Sequence, residues 1–152
     1  MQKNMVVCQV VINMQVVINN CYGGFGLSLK AIERFLELKG KEAYFYKQTS
    51  YSHIGEKDEY IKTTKEENSL MTHTMTSDLG DVTDNLPNEC YFSAHGIDRT
   101  DPILIQVVEE MGEDANGMCA ALIIIEIPDD IEYTIEEYDG IEHIAEKHRT
   151  WC

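Results

Sequence analysis

The sequence predicts an α+β domain, and three observations carry that prediction. Residues 15–20 and 119–127 are short apolar runs rich in β-branched side chains and read as strands. Two segments, from Ser28 to about Lys39 and from Pro102 to Met111, carry apolar residues at helical spacing. Near the C-terminus, two alternating segments flank Asp139-Gly140, a strong short hairpin signal. The expected architecture is a mixed sheet with a strand–helix–strand unit, two main helices and a C-terminal antiparallel meander.

The elements follow in order. The run Gln15-Val16-Val17-Ile18-Asn19-Asn20 reads as a buried strand, broken by Gly23, Gly24 and Gly26. Ser28 is a sound N-cap, and Leu29, Ile32, Phe35 and Leu36 form the apolar stripe of the helix it opens. Lys39-Gly40 closes that helix, and residues 42–47 read as a second strand. In one sheet, this unit would be a right-handed parallel crossover. Residues 49–88 are polar and show no sustained period, so they read as a variable, partly ordered insert with little chemistry. Residues 90–94 are a candidate short strand. Thr100 or Asp101 then caps a helix with Pro102 at its first position and a stripe of Ile103, Leu104, Val107, Val108 and Met111. The apolar run at 119–127 predicts a central strand covered on both faces. In the hairpin, Ile131, Tyr133 and Ile135 alternate with Glu132, Thr134 and Glu136, giving one buried and one acidic face. The pentapeptide Gln9-Val10-Val11-Ile12-Asn13 recurs as Gln15 to Asn19, with Met14 between. We read residues 1–13 as a peripheral extension and residues 14–152 as a single domain.

Composition narrows the function. The 152 residues carry 12 basic and 27 acidic side chains, a net charge of −15 with histidine neutral. Such a surface repels nucleic-acid phosphates and anionic lipid headgroups, so neither bulk nucleic acid nor membrane is an expected partner. Five scattered cysteines without a CxxC pair predict reduced thiols in a cytosolic setting. The longest apolar run is eight residues, far short of a membrane span, and no secretory signal pattern opens the chain.

The strand–glycine loop–helix arrangement is a geometry that receives anions, because free backbone N–H groups can point at a ligand. Neither GxGxxG nor a P-loop pattern is present, and a tight turn that simply needs glycine is the competing reading. Tyr22 and Phe25 could stack on a planar ligand. Cys21 precedes the loop; a Cys21–His95 nucleophile and base pair is one enzymatic reading, and an inert thiol the other. Three arginines stand out in so acidic a chain. Arg34 reads as a solvated charge, Arg99 as an ion pair or ligand contact, and Arg149 as part of the basic tail that ends in Trp151. Trp151 is a stacking plate or a core residue. His143, His148 and Cys152 do not have metal-ligand spacing, so no metal or cofactor is expected.

Three blocks carry a resemblance: Asn19 to Ser28, Arg99 to Pro102 with Val107 to Gly112, and Glu136 to Gly140 with His148 to Trp151. Together they resemble small accessory proteins encoded by tailed bacteriophages and some of their hosts. The resemblance implies a phage or prophage product in the host cytoplasm, where countering a host defence is a common role. It implies no settled activity.

The leading expectation is a non-enzymatic protein that sequesters a small anionic, nucleotide-derived ligand, such as a host immune signal. Backbone N–H groups of Gly23, Gly24 and Gly26 near Ser28, stacking by Tyr22, Phe25 or Trp151, and charge from Arg99 or Arg149 would make the contacts. A small hydrolase using Cys21, His95 or the C-terminal carboxylates is the second reading. An acidic protein that mimics nucleic acid to occupy a host DNA-binding protein is the third. Strand edges and the hairpin make a homodimer or higher oligomer plausible.

Overall fold

Branched side chains at Val16, Val17 and Ile18 fit a pleated strand, where both faces can be buried, and all three are buried here. The structure, a computed structural model, describes residues 12–49, 57–67, 69–148 and 151. Its strands are β1 (Asn13–Asn19), β2 (Tyr44–Gln48), β3 (Tyr60–Thr63), β4 (Thr72–Met75), β5 (Val82–Thr83), β6 (Tyr91–Phe92), β7 (Leu122–Pro128), β8 (Tyr133–Tyr138) and β9 (Ile141–Glu146). Its helices are α1 (Leu29–Leu38) and α2 (Pro102–Met111), with short 3-10 turns between elements. The chain is α+β, with two main helices and a C-terminal hairpin.

The strands form three sheets: β1-β7, β5-β3-β2-β4-β6 and β8-β9. Every pairing among the described strands is antiparallel. The strand–helix–strand unit therefore makes no parallel crossover, because β1 and β2 lie in different sheets. The reason is local. β2 finds β3 and β4 within a short stretch of chain, where loop closure is cheap, and β1 pairs with the equally apolar β7. Residues 49–88 supply β3, β4 and β5 of the five-stranded sheet. Strands of two to four residues are too short to leave a readable period. Residues 1–11 of the extension lie outside the described residues, and β1 opens at Asn13.

Alternation along β1 and β7 builds the core in layers. Val17, Leu122 and Ile124 pack with Phe35 and Leu36 of α1 and Leu104 and Val107 of α2. Val16, Ile18 and Ile127 pack from the other face with Tyr133, Ile135 and Ile144 of the hairpin. Full burial of a side chain such as Leu104 contributes about 2 kcal/mol. The β1-β7 ribbon is thus the middle layer, between helices and hairpin.

Ser28 caps α1 as the sequence predicts, and of the two candidates Thr100 and Asp101 it is Asp101 that caps α2. Ser28 Oγ accepts from the Ala31 N–H (3.1 Å), and the Asp101 side chain accepts from Ile103 N–H (2.8 Å). Ser28 Oγ also donates to the Asp114 carbonyl (2.6 Å), tying α1 to the turn after α2. Ser28→Ala removes both bonds and leaves a carbonyl without its donor. We expect it to lower stability by about 1–2 kcal/mol, read from urea denaturation midpoints at unchanged m-value. No change in midpoint would show that the cap is not used.

Candidate functional site

Three glycine turns meet backbone to backbone between β1, β7 and the hairpin. Gly23 (φ +117°) and Gly24 (φ +99°) hold conformations closed to most side chains. A Cβ on Gly23 would lie 2.5 Å from Cβ of Cys119, and one on Gly117 would lie 2.8 Å from the carbonyl carbon of Gly26. Main-chain bonds seal the contact: Gly117 N–H donates to Gly26 O (2.9 Å), and Gly23 N–H to Asp139 O (3.2 Å). Close packing accounts for Gly23 and Gly117, and the left-handed backbone for Gly24; the contact fixes the loop. Among the described residues, the N–H groups of Gly24, Phe25 and Gly26 donate to no protein acceptor.

A buried polar knot holds the same turns from beneath. Asn19, at the end of β1, is fully buried. Its Nδ2 donates to Cys21 O (2.6 Å) and Gly140 O (2.7 Å), and its Oδ1 accepts from Ala121 N–H (2.8 Å). Arg99 meets Glu142 of β9 in a two-pronged ion pair (2.8 and 2.9 Å) and donates to Val17 O (3.2 Å). Glu142 also accepts from the Asn19 N–H (2.8 Å). The Arg99 guanidinium stacks over Phe25, 3.4 Å from the ring centroid, and Phe25 meets His95 edge-on. Burial pushes the Glu142 carboxyl up, but the hydrogen bonds from Arg99 and Asn19 and the charges of Arg99 and His95 outweigh it. The net result is a carboxyl below its ordinary range.

The glycine loop separates two clefts. The first, of about 320 Å³, lies between the loop and strands β4 and β6, with His73, Tyr91, His95, Met118 and Cys119 around it. Among the described residues, none that lines it is Asp, Glu, Lys or Arg. His73 Nδ1 lies 3.2 Å from the Tyr91 hydroxyl, and Tyr60 abuts the His73 ring edge-on. Burial lowers the His73 pKa, so the ring is neutral at pH 7. The second cleft, of about 380 Å³, lies on the hairpin side and holds Arg99 and His95 beside Glu137, Asp139 and Glu142. Three carboxylates against one already paired arginine make it unsuited to an anion.

The residues singled out by sequence part company here. Gly23, Gly24 and Phe25 line both clefts, and Gly26 the first. Phe25 is buried with a face under Arg99, so its ring belongs to the knot. Ser28 is the α1 cap. Tyr22 is 63% exposed and Trp151 87% exposed, and neither lines a cleft. Arg149 lies outside the described residues. His95 lines both clefts and Cys21 neither, so the structure does not gather that pair at one site; Cys119 is the thiol that shares a cleft with His95. Sequence reasoning missed Asn19 as a fastener and His73 and Tyr91 as cleft residues. Asn19 stands in an Asn19-Asn20 pair at the end of an apolar strand, which does not single it out. The other two sit in the stretch read as an insert or beside it.

Among the described residues, no group of three or more His, Cys, Asp or Glu is placed to hold a metal ion. No described helix is long and apolar enough to cross a membrane. Comparison with protein-family models, with curated proteins and with solved structures finds no match to this chain.

Proposed function

We propose that the first cleft binds a small planar ligand carrying an anionic group, of the nucleotide-derived class, and that the protein acts by holding it. The observation that carries this reading is a cleft whose lining, among the described residues, holds no carboxylate, in a chain of net charge −15. An anion there escapes the repulsion that the rest of the surface imposes. The N–H groups of Phe25 and Gly26, unpartnered among the described residues, supply donors at a loop already fixed by packing, so little ordering cost accompanies binding. Tyr91 and the neutral His73 ring offer aromatic surface to a planar group. The volume is at the small end of ordinary ligand sites.

Of the two sequence readings of Arg99, ion pair or ligand contact, the geometry supports the ion pair, with Glu142 as the partner. Its charge is met by Glu142, and it supports the loop from behind rather than reaching the ligand.

The test is a panel of mononucleotides, cyclic mononucleotides and cyclic dinucleotides in thermal-shift and calorimetric titrations. One class is expected to bind, raising stability by about 2.7 kcal/mol at a hundredfold excess over Kd. Tyr91→Ala, at an exposed position, is expected to weaken that binding about 2–10-fold while leaving the unliganded melting temperature nearly unchanged. Ligand recovered intact after incubation separates holding from hydrolysis. Silence across the whole panel defeats the reading.

A further inference from the structure

β7 is an edge strand of a kind that folded proteins usually protect. The edges of the five-stranded sheet are β5 and β6, two residues each, which is short enough to attract no partner. The outer edge of β1 is occupied: Val17 N–H donates to Arg99 O (2.9 Å), Arg99 donates to Val17 O, and Asn19 N–H donates to Glu142. β7 has seven residues, Leu-Ile-Ile-Ile-Glu-Ile-Pro, and among the described residues only β1 pairs beside it.

The pairing register shows what this edge offers. Asn20 N–H donates to Ala121 O and Asp129 N–H to Ile12 O, so the odd-numbered residues of β7 turn their main chain toward β1. Leu122, Ile124, Glu126 and Pro128 therefore turn theirs outward. Leu122 N–H is taken by Asn116 Oδ1 (2.8 Å), and proline has no N–H. Two donors remain, Ile124 and Glu126, with no acceptor among the described residues.

We propose that this edge pairs with the same edge of a second copy, β7 against β7, joining two β1-β7 ribbons into one four-stranded antiparallel sheet. The edge is complementary to itself about a two-fold axis. With Ile124 opposite the second copy's Glu126, all four outward N–H groups find carbonyls, and Ile125 faces Ile125. The two positions that cannot donate, Leu122 and Pro128, then fall opposite each other at the ends. Doubling the ribbon covers Ile123, Ile124 and Ile125, which are only half-buried in one copy. Two copies of charge −15 repel, so association strengthens with salt.

Native mass spectrometry and light scattering of the full chain over a concentration and salt series test this, alongside amide hydrogen exchange. The expected result is a dimer favoured by salt, with Ile124 and Glu126 amides gaining protection as concentration rises. Glu126→Pro removes a donor that no bond among the described residues uses, and is expected to weaken the dimer roughly thirtyfold. A monomer at every concentration overturns the proposal, as does a dimer indifferent to Glu126→Pro. Protection of Ile124 and Glu126 that is independent of concentration means that residues of the same chain cover the edge, and also overturns it. Exchange on the unaltered protein decides the matter if the proline variant does not fold.

Discussion

Glu142→Gln is expected to lower stability by roughly 3 kcal/mol, because it leaves the Arg99 guanidinium buried without its counter-charge. The two side chains are 17% and 8% exposed, so solvent does little to screen the loss. The effect reaches beyond one pair. Glu142 also receives the Asn19 N–H, and Arg99 lies between Phe25 and Val17 O, so the substitution loosens β9, the glycine loop and the edge of β1 together. Removing both charges at once, as in Arg99→Met with Glu142→Leu, is expected to cost less than the sum of the single changes, since no orphan charge remains. A double-mutant cycle by urea denaturation measures the difference. Strict additivity would show that the pair is not coupled.

The same pair sets a pH dependence with a definite sign. A carboxyl held below its ordinary range contributes stability that is fully present above its unfolded pKa. That contribution is lost as pH falls through the lowered native value. In the wild type it should therefore disappear on acidification below the ordinary glutamate range, and the Glu142→Gln profile should be flatter there. Near neutral pH the two profiles should run parallel.

What the sequence disclosed was local. Ser28, Asp101 and the Asp139-Gly140 turn are legible because a cap or a two-residue turn is decided by neighbours a few residues away. The division into three sheets was not legible, because β7 carries the same apolar run whether it is central or at an edge. The knot was not legible either: Asn19 and Glu142 are 123 positions apart, and each looks unremarkable in its own segment. The glycine loop was found by composition, but the neighbours it packs against, Cys119, Gly117 and Gly140, lie in two other turns. His73 and Tyr91 were hidden for another reason. They sit in or beside four-residue and two-residue strands whose polar neighbours give no period to read.

Gly140→Ala is expected to be the most disruptive single methyl in the hairpin, at roughly 3–5 kcal/mol. Its Cβ would lie 2.1 Å from the Gly24 nitrogen and 2.5 Å from the Gly23 nitrogen. Both are main-chain atoms in a loop pinned on its other side by Cys119 and Gly117, so neither can give. The turn would have to lift, breaking Asn19 Nδ2 to Gly140 O and Gly23 N–H to Asp139 O and exposing the Arg99–Glu142 pair. Backbone conformation alone does not explain so large an effect, and the molecule contains the control. Gly80 has φ +87°, matching +88° at Gly140, yet a Cβ there meets nothing within 4 Å. Gly80→Ala should cost only about 1–2 kcal/mol, the left-handed penalty without the collision. The excess at Gly140 then measures how tightly the hairpin turn holds the loop between the two clefts. Equal losses in the two variants would mean that the turn and the loop are not in contact in solution. A large excess accompanied by loss of ligand binding would tie the first cleft to this packing, since its donors sit on the loop that the alanine displaces.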